Sequence, residues 1–193
     1  MADLTCGAGG STGSEIIAQI NENTARMEML TVLAQVDPRG SLRLSTDTTQ
    51  TITDSAIPDL LECFDTIVTS QNGFIPKLTG NTATITNDSG YNSKAIVSVG
   101  LNVDFPANET LEVFLFVNGV VYSDVPLLVQ GNGNGKPISM YWESEVVFAD
   151  GDVLDIRGRN ADTGTYDIKF LRSTLRITAS WREMVTLPVQ PTP

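Results

Sequence analysis

The chain has 193 residues, 12 basic and 23 acidic, with a net charge of −11 and no histidine. Such a length builds one good core but not two large domains, and so negative a balance argues against nucleic acid or an anionic membrane surface as partner. Absence of histidine removes the commonest general base, the commonest metal ligand and every Ser-His or Cys-His nucleophile.

Residues 1–13 read as a flexible arm, because Cys6-Gly7-Ala8-Gly9-Gly10-Ser11-Thr12-Gly13 cannot bury enough area to fold alone. The start lacks the basic and apolar regions of a secretory leader, so synthesis in the cytosol is expected. Cys6 and Cys63 are too few for a disulfide framework and read as reduced thiols. The motifs Asn87-Asp88-Ser89 and Asn108-Glu109-Thr110 match the glycosylation pattern, but they are expected to be idle in a cytosolic product.

A helix is predicted over 14–37, with Ser14 as N-cap and Pro38 and Gly40 as stop signals. Ile16, Ile20, Asn23, Met27, Leu30 and Ala34 recur at the alternating spacing of a short heptad seam. A polar Asn23 in that seam would fix register or oligomer state at some cost in stability. The self-associating helix is the favoured reading, and an amphipathic helix packed on its own domain is the alternative.

Residues 38–73 are expected to form a connecting segment. Ile57, Leu60, Leu61, Phe64, Ile67 and Val68 fit a short helix starting near Pro58, with strand pairing as the alternative. From Phe74 the apolar period changes to two. Ala95, Val97, Val99, Leu101, Val103 and Phe105 alternate with Ile96, Ser98, Gly100, Asn102 and Asp104, and Leu111, Val113, Leu115 and Val117 recur at the same period. Asn118-Gly119 is a hairpin signal. Met140, Trp142, Val146 and Phe148 share a face of another strand, and Leu154, Ile156, Leu175, Ile177, Ala179 and Trp181 complete the series. These strands predict a mainly β chain whose head, 74–184, is an antiparallel sandwich. A Pro-rich tail follows at 185–193.

Chemistry-bearing motifs are weak. Gly131-Asn132-Gly133-Asn134-Gly135-Lys136-Pro137 has Gln130 where a phosphate loop needs its first glycine, and Pro137 where it needs the metal-binding hydroxyl, so it reads as a hairpin loop. Asp150, Asp152 and Asp155, and likewise Asp162 and Asp167, suit tight turns better than calcium. No carboxylate spacing favours a glycosidase, and no basic groove is evident. Tyr91, Tyr122, Tyr141, Trp142, Tyr166 and Trp181 are candidates for a sugar- or protein-contact surface, with core or strand packing as the alternative. Tyr91 and Tyr166, in turn-like contexts, are expected to be the exposed pair.

The pieces 94–105, 111–119, 148–156 and 173–179 together resemble the tumour-necrosis-factor-type jelly roll, also the head of complement-type modules. That resemblance implies a homotrimer around a threefold axis. With a short heptad helix and an arm in front, the plan is similar to bacteriophage virion proteins of the head-decoration or fibre type. The expectation is therefore a homotrimeric structural protein of the virion that decorates and stabilises the capsid, trimerised by the helix seam. Its partners would be itself and a major capsid or other virion protein, without nucleic acid or membrane. No catalytic residue, cofactor or metal is expected. A small tail-fibre or receptor-binding protein is the alternative, and a carbohydrate-active enzyme ranks last.

Overall fold

The computed structural model describes residues 13–33, 38–122, 126–133 and 135–184, with the backbone alone at 15–16, 26–33 and 181–184. Two units divide the chain, residues 1–36 and 37–193. The first contributes helix α1 (Gly13–Leu33). Its run of Glu, Ala, Gln, Met and Leu is rich in good helix formers, and Thr24 Oγ1 satisfies itself by donating to the Ile20 carbonyl at 2.9 Å. Ile20 and Asn23 are exposed on α1; Ile16, Met27 and Leu30 lie within it, and Ala34 falls outside the described residues.

Among the described residues the second unit holds thirteen strands: β1 (Arg39–Arg43), β2 (Thr48–Thr53), β3 (Asp59–Leu60), β4 (Thr66–Gln71), β5 (Phe74–Thr79), β6 (Thr82–Asn87), β7 (Tyr91–Asp104), β8 (Thr110–Val117), β9 (Val120–Val121), β10 (Leu127–Gln130), β11 (Ile138–Phe148), β12 (Val153–Asn160) and β13 (Thr165–Met184). The hydrogen-bonded path runs β10-β8-β12-β6-β5-β4-β1-β13-β7-β11, with β2 on β13, β3 on β12 and β9 on β8. Every pairing is antiparallel. The path is thinnest between β4 and β5, where one residue pair, Gln71 with Phe74, joins the two halves. There the sheet curls on itself, and side chains from both halves meet in one core.

Alternation placed those side chains correctly. Ala95, Val97, Val99, Leu101, Val103 and Phe105 are all buried, and so are Leu111, Val113, Leu115, Val146 and Phe148. Phe148 meets Phe74 edge-on with centroids 5.4 Å apart, tying β11 to β5 across the core. The hairpin at Asn118-Gly119 forms as expected, with φ of 54° and 74° and Val117 opposite Val120. Two consecutive positive φ values suit this asparagine-glycine pair and few others.

Residues 38–73 depart from the expectation of a connecting segment, since they supply four strands of the same sheet. No helix forms near Pro58. Leu61 and Phe64 are buried, but Ile57, Leu60, Ile67 and Val68 stay exposed, so the apolar residues do not share one helical face. The backbone finds partners elsewhere: Leu61 N–H donates to the Ile156 carbonyl at 3.1 Å and Phe64 N–H to the Asn81 carbonyl at 3.0 Å. Gln50 works as a short substitute strand, its Nε2 donating to the Leu60 carbonyl and its Oε1 accepting from Glu62 N–H, both at 2.8 Å.

Candidate functional site

Four neighbouring strands, β1, β13, β7 and β11, turn two rows of side chains outward. One row runs Arg43, Thr174, Gly100, Tyr141 and the next Ser41, Arg176, Ser98, Glu143, each residue directly opposite its neighbour. Strands lie about 4.8 Å apart, so each row spans roughly 14 Å. Between them lies a groove of about 390 Å³, which Val68 of β4 also lines.

Leu42 and Leu175 line it between the two rows, and beside it Gly100 separates Thr174 from Tyr141: a Cβ there would come within 2.7 Å of Thr174 Oγ1 and 3.9 Å of the Tyr141 ring. Tyr141 thus borders bare backbone and remains 66% exposed. Its hydroxyl donates to Glu143 Oε1, and Ser98 Oγ donates to the same oxygen at 2.8 Å. These two hydrogen bonds, the tyrosine's first, hold the Glu143 carboxyl below the usual carboxylate range. Neither bond uses Glu143 Oε2.

Arg43 and Arg176 line the same groove as this carboxylate. Among the described residues neither has a carboxylate within ion-pair distance, and the same holds for Arg39 and Arg172 on the same two strands. Their positions form a diagonal series, Arg39, Arg176, Arg43, Arg172, zig-zagging between β1 and β13. The expectation of no basic groove therefore needs correcting. Arg43 and Arg176 lie far apart in sequence, and strand pairing brings them together.

The aromatic candidates also separate differently from expectation. Tyr166 is buried at 6% and stacks on Phe105 with centroids 5.3 Å apart, because it faces inward from β13 opposite Ile52. Burial, with Glu109 and Asp162 nearby, pushes its hydroxyl well above the usual tyrosine range. Tyr91 and Trp142 are half-buried, Trp142 against the core. Tyr122 is 38% exposed, and its hydroxyl accepts from Val147 N–H at 2.9 Å, capping the open edge of β11. Tyr141 is the exposed platform that turn context did not single out.

Gly135 N–H donates to both oxygens of Asp104 at the end of β7, at 2.9 and 2.7 Å. The aspartates are engaged in the same way. Asp150 accepts from Gly90 N–H at 2.7 Å, Asp152 from Asn118 Nδ2 at 2.6 Å, Asp162 from Thr110 N–H at 2.7 Å and Asp167 from Thr51 Oγ1 at 2.7 Å. Asp155 forms a forked pair with Arg157, at 2.7 and 3.1 Å. Cys63 is fully buried, and desolvation raises its thiol far above the ordinary value, which leaves it inert.

No protein-family model matches the sequence, and no curated protein does. Among solved structures the chain is similar to Eiger TNF from S. frugiperda, with TM-score 0.51 and 13% identity over 82% of this chain and 100% of that one. It is also similar to the globular domain of zebrafish complement 1qA, with TM-score 0.44 and 12% identity over 76% and 99% of the two chains. The first likeness establishes the fold as a tumour-necrosis-factor-like jelly roll.

Proposed function

We propose that this jelly roll is the head of a homotrimeric structural protein of a virion, one that decorates and stabilises the capsid by binding and performs no catalysis. One observation carries the reading: a tumour-necrosis-factor-like sandwich follows, in chain order, a separate unit with a helix over Gly13–Leu33, the helix on which the heptad seam is expected. Threefold association is what the resemblance to that family implies. Ile20, exposed on α1 at 56%, is free to meet another copy's seam. The engaged aspartates support a non-enzymatic role, since each already accepts a hydrogen bond from the protein's own turns and strands.

Sedimentation equilibrium tests the oligomer, and electron microscopy of particles with and without the protein tests the location. A trimeric mass and density on the shell are expected, and a stable monomer at micromolar concentration would end the trimer. Ile20→Asp with Met27→Asp should dissociate the assembly, because an unpaired charge in a seam is costly. Particles stripped of the protein should release their contents at lower temperature, by about 2.7 kcal/mol of linkage per site at a free concentration about 100 times the dissociation constant.

A second reading, a small tail-fibre or receptor-binding protein, is favoured by the groove beside Tyr141. In that case particles lacking the protein keep their thermal stability and lose adsorption to host cells.

A further inference from the structure

We infer that the groove on the outer face of β1, β13, β7 and β11 binds an acidic sugar, a uronic- or sialic-acid residue of a glycan. The inference gives the receptor-binding reading a ligand class, yet it stands on the groove itself and holds wherever the protein sits in a particle.

Three features of the groove match three parts of such a sugar. Arg43 and Arg176 present guanidinium forks that no described carboxylate occupies, and a planar carboxylate is the group a fork binds in bidentate fashion. An acidic chain of net charge −11 that keeps these cations unpaired on one face leaves them to an outside anion. Glu143 lines the same groove with Oε1 engaged and Oε2 left to accept from sugar hydroxyls, while Ser41 and Thr174 line it as well. Tyr141 supplies an exposed ring beside the bare backbone of Gly100, and the apolar face of a pyranose packs on such a ring. A bare inorganic anion would use the arginines alone. A sugar uses all three.

The volume of 390 Å³ suits one or two sugar rings. The groove is built for binding and not for hydrolysis. Of the neighbouring outward carboxylates, Glu145 pairs with Lys94 at 3.4 Å and Asp104 holds Gly135, so Glu143 has no second carboxylate to work with among the described residues.

The test is a calorimetric or saturation-transfer titration of the whole protein with 3′-sialyllactose and with a hyaluronan tetrasaccharide. Lactose serves as neutral control, and sodium sulfate and a single-stranded oligonucleotide as competing anions. At least one acidic saccharide should bind at least about tenfold more tightly than lactose. Arg43→Gln with Arg176→Gln should weaken it by at least about tenfold. Tyr141→Ala should weaken the saccharide several-fold and leave sulfate unchanged. Melting temperature and sedimentation, run on every variant, separate loss of the site from loss of the fold.

Four results would overturn the inference. The first is no saturation by either acidic saccharide at 10 mM. The second is lactose binding as well as sialyllactose. Sulfate or the oligonucleotide binding as tightly as the saccharide, with Tyr141→Ala silent, would reduce the groove to an anion site. A change in sedimenting mass caused by the arginine variants, with flat titrations, would make this face a contact between copies. None of these results bears on whether the protein sits on a capsid, and neither does success, so failure here and failure of the virion reading remain distinguishable.

Discussion

Two outer faces of the sandwich carry arginines, and the fold treats them in opposite ways. On β8 and β12, Arg157 lies 4.2 Å over the Phe116 ring and Arg159 lies 5.2 Å over Phe114. Each is held by a carboxylate, Arg157 by Asp155 and Arg159 by Glu112. The Asp155 hydrogen bonds raise the Arg157 guanidinium further above its ordinary range. Alternation along β8 points both phenylalanines outward, yet they are only 8% and 6% exposed, and the two rings meet edge-on at 6.5 Å. Among the described residues, Arg39 and Arg43 on β1 and Arg172 and Arg176 on β13 have neither a ring beneath them nor a carboxylate beside them. The first face is closed by its own side chains and serves stability. The second leaves its charge and its ring, Tyr141, to a partner.

If that contrast is right, substitutions on the closed face should cost stability and those on the open face should not. The largest effect is expected from Phe116→Ala, about 3–4 kcal/mol in urea unfolding, because it empties a covered site and removes the ring under Arg157. Arg157→Ala should follow at about 2–3 kcal/mol, since it strands the Asp155 carboxylate, which is 5% exposed. A loss below about 0.5 kcal/mol in either variant would break the comparison.

Asp65, at the rim of the open face, sharpens it. Desolvation alone would raise this carboxyl, but hydrogen bonds from Thr66, Ser45 and Thr46 outweigh that effect and bring it down to about 2 from an ordinary 3.8. A carboxylate whose folded value is depressed stabilises the fold above its unfolded value and loses that contribution as pH falls. Asp65→Ala should therefore cost about 1 kcal/mol at pH 7, and the gap to the parent protein should close between pH 3.8 and about 2. A gap that persisted at pH 2 would show that the side chain's shape, and not its charge, holds the turn.

The smallest effect is expected on the open face itself. Arg43→Gln and Arg176→Gln should each change stability by less than about 0.5 kcal/mol, in either direction. Removing one of several like charges in a diagonal series relieves repulsion and offsets whatever packing is lost. A loss above about 1 kcal/mol would give these arginines a structural role like that of Arg157.

Much of the head was legible because burial on one face of a strand imposes a period of two. Ala95 through Phe105 could be read without any partner strand, and Asn118-Gly119 fixed its turn through backbone sterics alone. The strands at 39–71 escaped that reading. Thr48–Thr53 carries one core side chain, Ile52, and it is a strand because Ile168 and Phe170 of β13 complete the apolar face from across the pairing. Thr, Gln and Asp fill the rest, and no local pattern separates such a strand from a loop. Likewise the segment at 57–68 held enough apolar residues for a helix, but Leu61 and Phe64 had a deeper place to go.

What the sequence determined by itself was local: the seam spacing in α1, the alternating strands, the hairpin, and the lack of a histidine for catalysis. What only the tertiary structure decided was which distant residues meet. Tyr166 stands between Thr165 and Asp167 in the sequence and Tyr141 between Met140 and Trp142, yet strand register put the first in the core and the second on the surface. Arg43 and Arg176 became neighbours through the pairing of β1 with β13, and Gly100 came to lie between Thr174 and Tyr141 in register. A pairing register is set by the sum of many side chains seeking the core, a quantity that no short window of sequence contains.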